Sequence, residues 1–243
     1  MHKWARQVTN YVIMATRGVL FFDLDGTIAD SGAGIHASLN EVFESHDSEP
    51  LTIEELHMVI GPPLQESLPT LFTPRGISHE LVDTFIHVYR AIYKAHHLPR
   101  TQFNDGMKDA LEILHDHYYL AVVTAKPEPQ ALVAIEALGI TDMFVTIVGP
   151  ENDQPHPKTL LLQRALSEVI TSLGDEPLLE HCWMIGDRHH DIEAGVNVGT
   201  NAMGVLWGFG SREELQSAGA HVVAQDPEEL IRALLDSLEE RRT

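Results

Sequence analysis

Short apolar runs alternate with helical patterns along most of this 243-residue chain. Five of these runs have the length of a β-strand and are bounded by polar or turn residues: 18–22, 120–123, 145–148, 182–185 and 202–206. Helical patterns such as 129–138 and 158–170 lie between the later runs. Strands that are apolar throughout and alternate with helices predict an α/β fold, in which helices cover both faces of a parallel sheet.

The alternation stops between residues 31 and 100, a segment referred to below as the helical block. Helical patterns follow one another there without a strand: 33–44, 52–60, 64–71 and 78–96. Thr52 and Glu55 have the spacing of a capping box, and Ser78 is a candidate N-cap. An all-helical segment inserted after the first strand predicts a second, smaller lobe.

This insertion divides the chain into three parts. Residues 17–30 and 101–243 are expected to form the sheet-bearing core, and residues 31–100 an α-helical lobe. Residues 1–16 are expected to be an N-terminal extension, either a flexible leader or the product of an upstream start codon. No internal repeat is present.

The charge balance limits the choice of partner. Lys and Arg number 16 against 36 Asp and Glu, which gives a net charge of −20. Nucleic acids and anionic membranes are therefore poor partners, and a small anion would need a metal ion or a few placed cations. Cys182 is the single cysteine, and no run approaches the ~20 apolar residues of a membrane span. A cytoplasmic protein, monomeric or homodimeric, is expected.

Two acids close the first predicted strand. Asp23 and Asp25 follow the apolar run 18–22 and precede Gly26, which lets the backbone turn. Alone, such a pair is most often a turn that caps the next segment. In an open α/β sheet, however, ligands bind at the carboxyl ends of the strands. Two close carboxylates there favour either a bridging cation or a shared proton.

The fourth predicted strand ends in the same way. Asp187 comes directly after Gly186, and Asp191 follows one helical turn later. Asp23, Asp187 and the backbone carbonyl of Asp25 would form an oxygen site of the kind that Mg²⁺ prefers. Asp191 would then orient Asp187 or a lysine.

Two neighbouring histidines follow the same strand and raise a second metal chemistry. His189 and His190 are typical of zinc sites only with further spaced ligands, and neither a cysteine nor a third spaced histidine accompanies them. Adjacent side chains are also expected to point in different directions. Solvated histidines at a helix start are the favoured interpretation.

Two further positions offer groups for a phosphate. Thr124 and the amide of Ala125 follow the second predicted strand, although a lone threonine there is more often an N-cap. Lys158 stands at a predicted helix start, where a cation opposes the helix dipole. A salt-bridged surface lysine is the alternative to a functional role.

Together these elements resemble the haloacid dehalogenase superfamily of Asp-nucleophile phosphatases, from Arg17 onward. Its first, second and fourth motifs match 23–27, Thr124 and 186–191. The commoner third motif would place its lysine at Gln154. The phosphoglycolate-phosphatase-like branch carries the lysine at the following helix start, which is Lys158 here.

The resemblance implies a Rossmann-like core with a small α-helical cap and a division of labour among the site residues. Asp23 would attack phosphorus, and Asp25 would act as acid and then as base. Mg²⁺ would be held by Asp23, Asp187 and the Asp25 carbonyl. Thr124, Ala125 and Lys158 would bind the phosphate, and Gly186 and Asp191 would support the metal ligands. The cap segment Gly61, Pro62 and Pro63 would face the substrate.

The function expected from this resemblance is Mg²⁺-dependent hydrolysis of a small phosphomonoester such as phosphoglycolate, through an aspartyl-phosphate. Alternatives are a 5′-nucleotidase, phosphoryl transfer as in β-phosphoglucomutases and, more remotely, a non-catalytic binding module. Dehalogenation and phosphonate cleavage are not expected, because those branches of the superfamily use other sets of site residues. A phosphoglycolate site should offer the carboxylate a cation, yet near Gly61 the sequence shows His57 and Gln65 and no Arg or Lys before Arg75.

Overall fold

A six-stranded parallel sheet forms the centre of the computed structural model, which describes residues 17–151 and 156–240. In chain order the strands are β1 (Val19–Phe22), β2 (Ala29–Asp30), β3 (Gln102–Phe103), β4 (Tyr119–Val123), β5 (Phe144–Val148), β6 (Trp183–Gly186), β7 (Asn201–Val205) and β8 (Val222–Ala224). The sheet order is β5-β4-β1-β6-β7-β8, and β2 pairs with β3 in a separate antiparallel ribbon. The predicted α/β class is confirmed.

The described residues contain ten α-helices. They are α1 (Gly32–Glu44), α2 (Ile53–Val59), α3 (Leu64–Arg75), α4 (Val82–His96), α5 (Met107–His115), α6 (Glu128–Leu138), α7 (Lys158–Leu173), α8 (His189–Val198), α9 (Arg212–Ser217) and α10 (Pro227–Glu240). Short 3₁₀ helices span His79–Leu81, Leu98–Arg100, Thr141–Met143 and Leu179–His181. The predicted extension 1–16 and Gln154 lie outside the described residues.

The five apolar runs became β1, β4, β5, β6 and β7. β8 was not predicted, because it has three residues and only Ala224 is fully buried. β2 and β3 were also missed, since a ribbon of two residues on each side carries no detectable periodicity.

Alternation of side chains along β1 explains why both faces of the sheet are covered. Val19 and Phe21 belong to one apolar cluster, into which α7 and α8 pack, while Leu20 and Phe22 belong to the other, which includes α5, α6 and α10. All four side chains are fully buried. A strand buried on both faces reads as a continuous apolar run, which is why its position was predictable.

The helical block contains α1 to α4 and no strand. The predicted capping box at the start of α2 is present: Thr52 Oγ1 accepts from the Glu55 amide, and a Glu55 carboxylate oxygen accepts from the Thr52 amide. Ser78 caps the 3₁₀ turn before α4 rather than α4 itself. α3 runs on to Arg75, past the end predicted at residue 71.

Both connections between the sheet and the helical block run side by side. Ala29 pairs with Phe103 and Asp30 with Gln102 in the β2–β3 ribbon, and the Asn104 side chain donates to the Thr27 carbonyl at 3.1 Å. The block is therefore tied to the chain just beyond β1, at the carboxyl end of the sheet. No helix within residues 17–151 and 156–240 is long and apolar enough to cross a membrane.

Candidate active site

Three neighbouring strands deliver polar side chains to one edge of the sheet. β1 is followed by Asp23 and Asp25, β4 by Thr124 and β6 by Asp187. β1 lies between β4 and β6 and is parallel to both, so the carboxyl ends of all three strands meet. This is the crevice in which open α/β sheets bind their ligands.

Three buried carboxylates converge in this crevice. Oxygens of Asp23, Asp187 and Asp191 all lie within 4.8 Å of one another, and the three residues are 5%, 0% and 1% exposed. Burial raises the pKa of Asp187 well above its ordinary value, and the negative charges of Asp23 and Asp191 raise it further. Burial likewise raises the pKa of Asp23 to about 6, against the opposing pull of Lys158. Clustered buried negative charge of this kind fits a divalent cation with a preference for oxygen ligands.

Asp187 is held from two sides. The Thr27 hydroxyl donates to its Oδ1 at 3.2 Å, and the backbone amide of Phe209 donates to its Oδ2 at 2.8 Å. The segment after β7 therefore wraps the carboxylate that follows β6. These partners fix the direction in which the acid points, which any metal held by Asp187 requires.

Gly186 allows Asp191 to approach the end of β6. A Cβ placed on Gly186 would lie 2.2 Å from Asp191 Cγ, a distance that real atoms do not reach. The side chain of Asp191 in turn accepts from the Arg188 amide at 3.1 Å. A glycine is thus required here for close approach rather than for a turn.

Lys158 is the first residue of α7, and its side chain reaches two of the acids. Its ammonium lies 2.6 Å from Asp23 Oδ1 and 2.7 Å from Asp191 Oδ1. Burial alone would lower the pKa of Lys158, but the carboxylates of Asp191 and Asp23 outweigh it and raise the pKa. These two ion pairs offset the cost of a cation at a helix start. The predicted helix-start lysine therefore lies among the predicted acids.

Asp25 has a partner that the sequence analysis missed. Lys126 Nζ lies 2.9 Å from Asp25 Oδ2 and 4.6 Å from the centroid of the Tyr93 ring, and Lys126 is only 8% exposed. The other oxygen of Asp25 is buried and has no hydrogen-bond partner among residues 17–151 and 156–240. The position of Lys126, two residues after Thr124 in the turn that leaves β4, was the one available signal.

Thr124 is not the N-cap of the helix that follows. α6 begins at Glu128, with Pro127 as its cap residue. The Thr124 hydroxyl instead accepts from the backbone amide of Lys126 at 3.2 Å. Thr124 and Ala125 both line the crevice. The Thr124 hydroxyl, whose oxygen accepts from Lys126, can therefore donate its proton to a group bound there.

A cavity of about 100 Å³ lies between the strand ends and the helical block. Its lining includes the predicted substrate segment Gly61, Pro62 and Pro63, together with Asp23, Asp25, Thr124, Ala125 and Lys126. Arg90 of α4 also lines it. The sequence showed no Arg or Lys near Gly61 before Arg75, but Arg90 and Lys126, which are distant in sequence, line the same cavity in the folded chain.

Arg188 joins the acidic motif to the helical block. Its Nη1 donates to the His57 carbonyl at 3.0 Å and to the Ile60 carbonyl, both at the end of α2, while its Nε lies 2.9 Å from Glu214. Gly61 has a φ of 103°, and a Cβ there would lie 2.8 Å from Arg188 Cγ. A glycine is needed at this contact for both reasons.

The paired histidines do not point apart as expected. Their ring centroids lie 3.7 Å from each other, and Glu193 brings a carboxylate within 4.8 Å of both. His189 Nδ1 is 2.8 Å from Glu214. They open α8, as predicted for helix-start residues, but they are half-buried rather than solvated.

Comparison with known proteins identifies the family. The model of the family described as "Haloacid dehalogenase-like hydrolase" matches residues 20–205, which is more than half of the chain. The chain belongs to the haloacid dehalogenase-like hydrolase family. This confirms the resemblance and places the strand-end acids in the matched region of a hydrolase family.

The similar proteins include some that are named as phosphatases and others that are named as a protein kinase. Pyrophosphatase PpaX of Anoxybacillus flavithermus is 28% identical over 90% of this chain and 94% of its own. Tyrosine-protein kinase PtkA of Mycobacterium tuberculosis is 31% identical over 84% of this chain and 67% of its own. A solved structure, a predicted phosphatase from Clostridium acetobutylicum, superposes with a TM-score of 0.78 at 28% identity, covering 90% of this chain and 99% of its own. The family match and the relatives named as phosphatases together support a phosphatase activity.

Proposed function

We propose that this protein is a Mg²⁺-dependent phosphatase that hydrolyses a small phosphomonoester through an aspartyl-phosphate on Asp23. The observation that carries the proposal is the convergence of Asp23, Lys158 and the Asp187–Asp191 pair at the end of β1. A binding module has no need for buried acids and a buried lysine in one crevice, since burying charge is costly.

The first step transfers the phosphoryl group to the protein. A carboxylate oxygen of Asp23 attacks phosphorus and the bond from phosphorus to the leaving oxygen breaks, while Asp25 donates a proton to that oxygen. Thr124, the Ala125 amide and Lys158 bind the phosphoryl oxygens. Because these groups are positioned before reaction, they stabilise the charge of the transferred group at little reorganisation cost.

The second step returns the phosphoryl group to water. Asp25, now ionised, accepts a proton from a water molecule, whose oxygen bonds to phosphorus as the bond to Asp23 breaks, and inorganic phosphate is released. The contact with Lys126, which is an ion pair once Asp25 is ionised, keeps Asp25 directed at the crevice.

A divalent cation fits the acidic cluster, because three buried carboxylates bring their oxygens within 4.8 Å of one another. Asp23, Asp187 and the Asp25 carbonyl would hold Mg²⁺, with Asp191 and Lys158 alongside. When bound, Mg²⁺ supplies positive charge that offsets these carboxylates and the phosphoryl oxygens.

Asp23→Asn tests the proposal. The variant keeps the shape of the side chain but removes the nucleophile, so release of phosphate from a panel of esters with Mg²⁺ should fall roughly 10⁴-fold or more. The panel should include phosphoglycolate, pyrophosphate, nucleoside monophosphates and hexose 1-phosphates, the last also assayed for isomerisation. Full activity in Asp23→Asn would exclude the mechanism, whereas a folded wild-type chain inactive on every ester would exclude the function.

A further inference from the structure

One charged side chain of the helical block faces the crevice in the described part of the chain. The block contributes apolar and small residues to the cavity wall together with Gln65, Tyr89 and Arg90, and it contributes no carboxylate. The acids and the remaining lysine of the lining come from the strand ends. Among the described lining residues, the charged group that the block contributes is therefore a guanidinium.

The side of the cavity on which the leaving group lies is fixed by Asp25. The phosphoryl group is placed by Asp23, Thr124 and Lys158, and the leaving oxygen must face Asp25. Asp25 is paired with Lys126, which packs on Tyr93 of α4. The leaving group thus extends from the strand ends toward α4.

Arg90 lies on the part of α4 that meets this path. Tyr89 and Tyr93 are one helical turn apart, their rings stack at 5.8 Å, and both are buried at 7% and 2% exposure. Arg90 follows Tyr89 and is half-buried at the cavity wall. The rigid tyrosine pair fixes the helix face from which Arg90 enters the cavity.

The cavity is partly open to solvent, and its inner part is of a size that suits a small substrate. One water needs ~10–15 Å³ by this measure, so a cavity of about 100 Å³ holds roughly seven to ten water-sized groups. Phosphoglycolate and pyrophosphate are of that size, with about nine heavy atoms each. A nucleoside monophosphate has more than twice as many.

We infer that Arg90 selects substrates whose leaving group carries a second compact anion, a carboxylate or a phosphate. This inference rests on the proposed phosphatase function and names its substrate class. A guanidinium suits either anion because its planar fork matches two oxygens at once. Such recognition by a partly buried arginine also compensates for the long-range repulsion expected from a net charge of −20.

A matched pair of esters tests the inference. Phosphoglycolate and 2-hydroxyethyl phosphate have nearly the same shape and differ in a carboxylate against a hydroxymethyl group, and pyrophosphate supplies the phosphate leaving group. In the full-length protein with Mg²⁺, Arg90→Met should lower kcat/KM roughly ten- to hundredfold for phosphoglycolate or pyrophosphate. The same variant should change kcat/KM for 2-hydroxyethyl phosphate by less than about threefold, because the lost contact belongs to the second anion.

Two variants serve as controls. Arg90→Lys keeps the charge and should recover part of the loss, while Lys94→Met removes one positive charge from an exposed position one turn further along α4 and should have no effect. Equal losses on the charged and neutral esters, or a wild-type chain without preference for the charged ones, would overturn the role of Arg90 and leave the phosphatase function standing. A wild-type chain without activity on any ester would instead overturn the proposed function, and the inference with it.

Discussion

Each acid at the end of β1 is paired with a different lysine. Asp23 meets Lys158 at 2.6 Å and Asp25 meets Lys126 at 2.9 Å, and both lysines are largely shielded from solvent. The nucleophile and the proposed acid–base group can therefore be perturbed separately. Lys126 does not touch the phosphoryl group in the proposed mechanism, so we treat it as a positioning residue.

Lys126→Met should lower kcat roughly ten- to hundredfold without abolishing activity, because Asp25 would lose the partner that directs it. The partly buried Asp25 carboxylate would also be left uncompensated, so the melting temperature should fall as well. Steady-state kinetics and thermal unfolding measure the two effects. Lys108→Met, which removes an exposed lysine from α5, should leave both unchanged; an unaffected kcat in Lys126→Met would contradict the positioning role.

Sequence reasoning located the residues that directly follow strands. Asp23, Asp25, Thr124 and Asp187 are marked by the apolar runs before them, and the parallel sheet then brings them together. Lys126 and Arg90 could not be found in this way, because nothing in the local pattern distinguishes a lysine that folds back under Tyr93, or an arginine at a cavity wall, from solvated surface cations.

At the scale of single elements, α2 and α3 are joined by an ion pair. Arg75, the last residue of α3, donates from both terminal nitrogens to the Glu55 carboxylate at 2.7 Å, and its guanidinium lies 5.2 Å from the Phe43 ring centroid. The hydrogen bonds from Arg75 lower the pKa of Glu55, against the opposing effect of burial. Glu55 therefore caps its own helix and anchors the next one.

Glu55→Gln should lower the melting temperature at neutral pH by about 2–4 °C, since a partly exposed pair contributes up to ~1 kcal/mol in a chain of this size. Glutamine can still accept from Thr52 through its carbonyl oxygen, but its amide nitrogen cannot accept from Arg75, so the variant loses the charge and one of the two hydrogen bonds from Arg75. A lowered folded-state pKa stabilises the protein above the ordinary glutamate pKa of about 4 and loses this effect as the pH falls. The difference between wild type and variant should shrink in acid.

Glu54→Gln provides the matched control for this measurement. Glu54 is an exposed neighbour on the same helix, so its substitution changes the net charge equally but breaks no ion pair with Arg75. A melting-temperature difference between wild type and Glu55→Gln that stays constant from neutral pH into acid would argue against the charge effect.

The predictability of elements follows their length and burial. Runs buried on both sides, such as β1 and β6, were located within one or two residues, and the capping box at Thr52 marked the start of α2 correctly. β8 and the β2–β3 ribbon were missed because pairing with distant chain, rather than their own sequence, makes them strands.

At the scale of the whole molecule, Arg188 connects the loop after β6 to the helical block. It sits between Asp187 and Asp191 in sequence, yet its side chain donates to two carbonyls at the end of α2. Glu214 holds its Nε, so the guanidinium spans three parts of the fold. Movement of the block away from the crevice would break these bonds.

Arg188→Lys should weaken this link. The single ammonium of a lysine cannot donate to both α2 carbonyls and to Glu214 at once, as the planar guanidinium of an arginine does. We expect kcat/KM to fall roughly tenfold, mainly through KM, and limited proteolysis of the helical block to accelerate while the circular dichroism spectrum is unchanged. Arg212→Lys, at an exposed position on α9, is the control. Unchanged KM and proteolysis in Arg188→Lys would show that the link does not restrain the block.

The central position of β1 in the sheet also affects how the chain folds during its synthesis. β1 is synthesised first among the described strands, but its two neighbours are β4 and β6, with Leu20 opposite both Leu120 and Trp183. The nascent strand therefore has no neighbour until β4, near the middle of the chain, has left the ribosome, and its second neighbour follows only with β6. Such non-local pairing slows folding. Because Asp23 meets Asp187 only when β6 docks, the acidic cluster forms together with the last central strand. If the cluster holds a divalent ion as proposed, gain of affinity for that ion during refolding would thus mark the pairing of β6 with β1.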